Sequence, residues 1–274
     1  MTPSSFAARV AFVGFASLIG VFFALPMLWL VFAPFNGEAT LAARPSAPTL
    51  ENFRQVFFER DDIVRALGNS AWLAAGTVVI VVAVGAPASY ALSRIRFPGR
   101  DTFLYVLLLL SSVVAGSAAI LPLYLLIFEL DMINTFHGVW LALAGGMLPA
   151  SIFILKDFTD SIPRSYEESA RVFGASPFQA LRHIVLPVIR PGIAVIAVWT
   201  AVQVWGNFLV PFILLRDADK GPAAVLMFTF QDEGGGTDLG PLAAFGLVYT
   251  VPILLLYWFV NKRYGFRFHG GIKR

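Results

Sequence analysis

Six long stretches of apolar residues set the strongest constraint on this chain. They cover approximately 10–33, 70–92, 103–127, 137–155, 190–215 and 241–260. A helix needs about 20 mostly apolar residues to cross a bilayer. Within hydrocarbon every backbone polar group must be satisfied inside the segment, so runs of this kind predict transmembrane helices. A β-barrel would show alternating segments of about ten residues, and these runs do not alternate. Composition agrees: 58% of the 274 residues are apolar and only 14% are charged. A soluble domain carries about 25% charged residues. The first run follows Arg9 and has the look of a signal peptide, but it is too long and lacks a small-x-small cleavage site. It is read as a first spanning helix.

The fourth run contains Gly145, Gly146 and Pro149. Small residues there suit either close helix packing or a bent helix lining a passage. Pro26, Pro87, Pro122 and Pro252 pose the same choice. The fold expected is all-α: one transmembrane domain over 1–274, with an N-terminal helix at 10–33, a core bundle at about 69–260 and a cytoplasmic loop at about 161–190.

The placement of charge predicts the orientation. With the N-terminus inside, Arg9, Arg94, Arg96, Arg100, Lys156, Arg164, Arg171, Arg182, Arg190, Lys262, Arg263, Arg267, Lys273 and Arg274 are cytoplasmic. Only Arg44, Arg54, Arg60, Arg65, Arg216 and Lys220 lie outside. Lys and Arg concentrate on the cytoplasmic side, so both termini are expected there. Of the two long outer segments, 36–69 holds Pro45 and Pro48, with Thr49 as a candidate helix cap three residues before Asn52. The other, 216–240, carries Gly234, Gly235 and Gly236. The first lies at the membrane surface or packs on the outer mouth, and the second is either a contact for an external partner or a solvated connector.

Several chemistries are not suggested. The chain has no cysteine, and His137, His183 and His269 are scattered, so no metal cluster is expected. There is no Gly-rich phosphate loop followed by Lys-Ser/Thr. A membrane enzyme would need convergent acids, bases or ligands near one surface. A secondary transporter would show repeated halves or intramembrane charges. Neither pattern stands out.

The stretch FTDSIPRSYEESARVFGASPFQALRHIVLPVIRPG, between the fourth and fifth runs, is too apolar for a linker and too charged to span. Ser165 followed by Glu168 fits a capping box. Gly174 suits a helix end. Ser176-Pro177 reads as a second N-cap with a first-turn proline. A helix over 177–185 follows, and Pro187 ends or bends it. Helix, tight turn and helix on the inner surface describe either a docking element or an amphipathic hairpin lying on the membrane.

These residues carry a resemblance. Glu168-Ser169-Ala170, Gly174, Ile184-Val185-Leu186-Pro187 and Pro191 resemble the cytoplasmic signature of membrane subunits of bacterial binding-protein-dependent ABC importers. NSAWLAAG from Asn69, ASYALSRIRFPGR ending at Arg100, LPLYLLIFELDMINTFHGV from Leu121 and VWGNFLVPFILL from Val204 are similar to the maltose-type, carbohydrate-uptake permeases. The resemblance implies a multi-pass subunit of the bacterial inner membrane with a type I importer fold. Its implied partners are a second, different permease chain, two ATP-binding cassette subunits that hold ATP and Mg, and an extracellular or periplasmic solute-binding protein. It further implies an ATPase-coupling loop at Glu167, Glu168, Ser169, Ala170, Gly174, Leu186 and Pro187, with Glu168 and Gly174 foremost. Three positions depart from the pattern. Ser169 replaces the second alanine, Phe173 replaces an aspartate, and Gly206 interrupts a Trp-Asn-x-Phe sequence.

A sugar path needs amides that match hydroxyls and a flat ring for stacking. Gln203 and Asn207 lie four apart in the fifth run, with Trp199 on the same helical stripe. Either they contact solute or they join helices. Tyr90 is a further path candidate, with Asn69 and Ser70 near helix ends. Tyr124 and Asn134 fit a path or an interface equally.

Overall fold

The computed structural model describes residues 3–37, 48–95, 98–114, 119–230 and 239–264. Pro45, the glycines at 234–236, Arg44, Arg96, Arg267, Lys273 and Arg274 lie outside the described residues, so nothing structural attaches to the readings made of them. Apart from one isolated bridge between Asn36 and Pro48, the described residues form only helices and turns. The helices are α1 (Pro3–Phe32), α2 (Glu51–Arg54), α3 (Asp62–Arg94), α4 (Arg100–Val114), α5 (Ile120–Glu129), α6 (Phe136–Asp160), α7 (Ser165–Val172), α8 (Pro177–Ala180), α9 (Leu186–Val188), α10 (Arg190–Trp205), α11 (Leu209–Leu214), α12 (Ala223–Leu226) and α13 (Leu239–Tyr264).

Four of these are single helices long and apolar enough to cross a membrane: Ala8–Phe35, Asp62–Arg94, Phe136–Asp160 and Leu239–Lys262. A fifth arises if Pro177–Val188 and Arg190–Trp205, bent by 75°, count as one span. Of the six transmembrane helices expected, single long helices are thus found for four runs, and the third and fifth runs are interrupted. The third is divided between α4 and α5, and 115–118 lie outside the described residues. The fifth stops at Trp205, after 16 residues. Glycine is a poor helix former, and Gly206 becomes the C-cap, its N–H reaching the carbonyls of Val202 and Val204. The Asn207 side chain then accepts from the N–H of Val210 at 3.1 Å and opens α11. Pro211 follows in the first turn of α11, where its missing N–H costs no helical bond.

The fourth run is one continuous helix, α6, with Pro149 inside it. A Cβ on Gly145 or Gly146 would meet nothing within 4 Å. Close packing inside this chain is therefore not what these glycines provide.

The chain divides into two compact units. One comprises Met1–Ile63 and Met227–Pro252, the other Val64–Leu226 and Ile253–Arg274. In the first, Asn52 is buried and donates to the carbonyls of Pro34 and Asn36 at 2.9 and 3.0 Å. Thr49 is not the N-cap expected of it. Leu50 holds that position, and the Thr49 hydroxyl instead accepts from the N–H of Glu51. Arg60 stacks over the Phe230 ring at 4.4 Å and pairs with Asp62.

In the second unit, α3, α6 and α10 share a core that includes Leu73, Val81, Val139, Leu143, Leu155, Ile196 and Val204. On α6 the buried positions recur at helical spacing, through Val139, Leu143, Met147, Ser151, Leu155 and Thr159. Lipid tails are as apolar as leucine, so packing density holds such helices together. At Gly76 a Cβ would collide with the indole of Trp140, so α3 needs a glycine where α6 crosses it.

Candidate functional site

The segment from 161 to 190 forms a short arm at the end of α6. Helix α7 ends in a Schellman motif. The N–H of Ala175 reaches the carbonyl of Ala170 at 3.0 Å, and that of Gly174 reaches Arg171 at 2.9 Å. Gly174 closes the motif at φ +84°, a left-handed conformation that a residue with a Cβ adopts only at a cost. Two residues later Ser176 caps α8 by a full capping box with Gln179. Leu181–Val185 widens into a π-turn just before Pro187, which has no N–H for a regular helical bond. The predicted helix, turn and helix are all present.

The capping box predicted at Ser165 and Glu168 is not. Arg164 occupies the N-cap and makes no side-chain cap bond. Replacing Ser176 with alanine is expected to cost about 1 kcal/mol, read as a lower thermal midpoint of the detergent-solubilised chain. Ser165→Ala should leave that midpoint unchanged.

The two glutamates of α7 face opposite ways. Glu168 is exposed, and its side chain has no hydrogen bond or ion pair among the described residues. Glu167 is 3% exposed. Its Oε1 accepts from Arg94 Nε at 2.7 Å and its Oε2 from the Tyr90 hydroxyl at 2.9 Å. Arg94 also donates to the carbonyls of Thr159 and Ile162 at 3.3 and 3.2 Å, and to Ser93 at 2.9 Å. Ser93 in turn donates to Asp160, which pairs with Lys156 at 2.6 Å. Tyr90, with Ile162, Leu181, Val185 and Ile189, forms a small apolar cluster beneath the arm. Leu186 packs against the edge of that cluster, and Pro187 is half-buried beside it in sequence.

The other side of the arm is open. Phe173 is 90% exposed and Val172 84%. Tyr166 and Phe178 are also exposed, as are Ser169 and Gly174, while Ala170 is half-buried. The substitution at Ser169 is therefore a surface change, and Phe173 crowns an apolar surface.

The path candidates separate. The Tyr90 hydroxyl donates to Glu167 at 2.9 Å, at the arm end of α3. Trp199 is half-buried against the main core, and Gln203, one turn along α10, is exposed. Asn207 lies past the end of α10, so it does not continue their stripe. It sits one residue before the N-cap of α11, Phe208, and its side chain accepts from the N–H of Val210.

Asn69, Ser70, Tyr124 and Asn134 hold the segment at 214–223. Asn69 donates to the carbonyls of Asp219 and Gly221, and Ser70 accepts from the N–H of Ala223. Arg216 donates to the Tyr124 hydroxyl at 2.7 Å. The Asn134 amide oxygen accepts from the N–H groups of Arg216 and Asp217. The Asn134 amide N–H and Lys220 hold the Asp217 carboxyl below its ordinary range. An apolar groove of about 390 Å³, lined by Ala74, Ala75, Val78, Ala194, Ala197 and Leu256 with Arg190, lacks the amides a sugar needs. No group of three or more potential metal ligands occurs among the described residues.

Long apolar helices, a helical core and a short arm with one apolar open face define a polytopic α-helical membrane protein of the importer-permease type. The chain belongs to the binding-protein-dependent transport system inner membrane component family, whose model matches residues 8–262. It is 31% identical to the diacetylchitobiose uptake system permease protein NgcG of Streptomyces coelicolor, over 93% of this chain and 86% of that protein. It is 28% identical to the galactooligosaccharides transport system permease protein GanQ of Bacillus subtilis, over 90% of this chain and 89% of that one. A bacterial ABC transporter that imports the acidic polysaccharide alginate has the same fold, with a TM-score of 0.81 at 19% identity over 96% and 98% of the two chains. The chain is thus a multi-pass bacterial membrane subunit and not an enzyme. It works with a second permease, ATP-hydrolysing subunits and a solute-binding protein.

Proposed function

We propose that this chain forms one half of the translocation path of a carbohydrate importer and docks its 161–190 arm on the ATP-hydrolysing subunit. The observation that carries the docking is the two-sided arm: Glu167 is bonded inward, while Val172, Phe173, Tyr166 and Phe178 are left open. Isolated apolar side chains need no explanation, but a cluster of large ones on a charged segment fits a protein interface. Glu168, Ser169 and Gly174 border that surface. Ala170, Leu186 and Pro187 support it from within.

The carbohydrate reading rests on the relatives, whose names specify diacetylchitobiose, arabinooligosaccharides, galactooligosaccharides and trehalose. Six crossings are proposed, the third and fifth built from broken helices, with both termini and the arm cytoplasmic. The Lys/Arg bias supports this arrangement. The chain has no cysteine of its own, so one introduced at Phe173 reports its side directly. In spheroplasts a membrane-impermeant thiol reagent should label it only after the membrane is opened, whereas one at Asp217 should react at once. The reverse pattern would overturn the orientation.

Trp199 and Gln203 are proposed to meet the solute, with Asn207 shaping the break beside them. The Gln203 side chain is exposed and has no hydrogen bond among the described residues. Gln203→Ala is expected to raise the solute concentration for half-maximal uptake about tenfold, with the ATPase subunit still bound. Competition among labelled oligosaccharides in the same assay identifies the solute class. Failure of every carbohydrate to compete or to be taken up would sink the carbohydrate reading.

A further inference from the structure

We infer that Arg94, Glu167 and Tyr90 form a charged joint that makes the 161–190 arm, the end of α3 and the end of α6 move as one body, so that Glu167 positions the arm for coupling without touching the ATPase. The inference rests on the docking reading above. Its geometry is independent of it.

Tyr90 and Arg94 are four residues apart on α3 and so share one face. From that face they hold both oxygens of the Glu167 carboxylate, at 2.9 and 2.7 Å. The Arg94 side chain is 11% exposed and that of Glu167 is 4% exposed. The same guanidinium donates to Thr159 and Ile162, at and just past the end of α6. Arg164, at the start of the arm, donates back to the Ser93 carbonyl at 3.4 Å. One arginine therefore ties the end of α3 to the end of α6 and to α7, whose bonded residues lie 65 to 73 positions further along the chain.

The type of contact matters for transmission. Apolar surfaces can slide past each other by small steps at little cost. A buried guanidinium cannot, because any shift that separates it from its carboxylate leaves an unpaired charge out of water. The fork of N–H donors is also rigid and directional, which a lysine ammonium is not. Force applied at the open face, at Val172 and Phe173, thus reaches α3 and α6 together. The transporter needs nothing from Glu167 as a ligand or a base. It needs the arm to stay in register with the spans.

The test uses the complete complex in proteoliposomes and reads solute molecules moved per ATP hydrolysed, with co-purification of the ATPase subunit read separately. Glu167→Gln and Arg94→Lys are expected to retain the ATPase subunit while the ratio falls about tenfold. Tyr90→Phe, which removes one hydrogen bond from the same carboxylate, should lower it about threefold. Because Arg94→Lys keeps the charge, its failure to restore the ratio separates geometry from charge. A wild-type ratio in assembled Glu167→Gln and Arg94→Lys complexes overturns the joint. If those two variants do not assemble, a wild-type ratio in Tyr90→Phe overturns it equally. If the wild-type chain itself fails to retain the ATPase subunit, the docking reading falls first and the joint has nothing to transmit.

Discussion

Phe173→Glu is expected to weaken the hold of the ATP-hydrolysing subunit about 100-fold. The reason is local. Phe173 is the C-cap of α7 and is 90% exposed, so the chain's own fold makes almost no use of its ring. An aromatic side chain in that position gains its energy by leaving water in a partner's pocket. A carboxylate there must either lose its hydration or hold the surfaces apart. The measurement is the affinity of the ATPase subunit for the solubilised permease pair, with the thermal midpoint of the pair as control. The midpoint should not move. A midpoint that falls with the affinity would make Phe173 a folding residue instead.

The second large effect is on stability. Arg94→Ala is expected to destabilise the chain by about 3–5 kcal/mol, because it leaves the Glu167 carboxylate buried without its cation. The carbonyls of Thr159 and Ile162 lose their donor in the same step. Arg94→Ala with Glu167→Ala should recover a large part of that loss, since no charge is then stranded. Thermal unfolding of the four chains in detergent gives the cycle. Losses that simply add would show that the two side chains act separately.

The sequence made the membrane class and the arm easy to read, and for physical reasons. Long apolar runs, Gly174 and Ser176-Pro177 act locally, and the structure has single long helices over four of the six runs, with the left-handed turn and the cap where those residues predict them. What was not legible depends on partners far away in the chain. Glu167 and Glu168 are adjacent and chemically alike, and only the packing of α7 against the end of α3 decides which one turns inward. Arg94 counted as one more cytoplasmic charge, because its carboxylate is 73 residues away. The Tyr90–Glu167 bond spans 77 residues and was hidden for the same reason.

The break after α10 has a local signal in the chain. Gly206 followed by Asn207 is a poor helix former followed by a good cap. That pair ends α10 at Trp205 and moves Asn207 off the face of Trp199 and Gln203. Ser165 illustrates the opposite case. A capping box needs its serine outside the first turn, and Arg164 takes that place.

The most direct measurement of the central claim is solute movement in vesicles with ATP sealed on one side and the solute-binding protein supplied on the other. Labelled oligosaccharide should cross only when ATP is on the face where a cysteine at Phe173 is labelled, and it should move toward that face. Movement that proceeds without ATP, or ATP hydrolysis that never carries a carbohydrate toward the arm, would contradict the account.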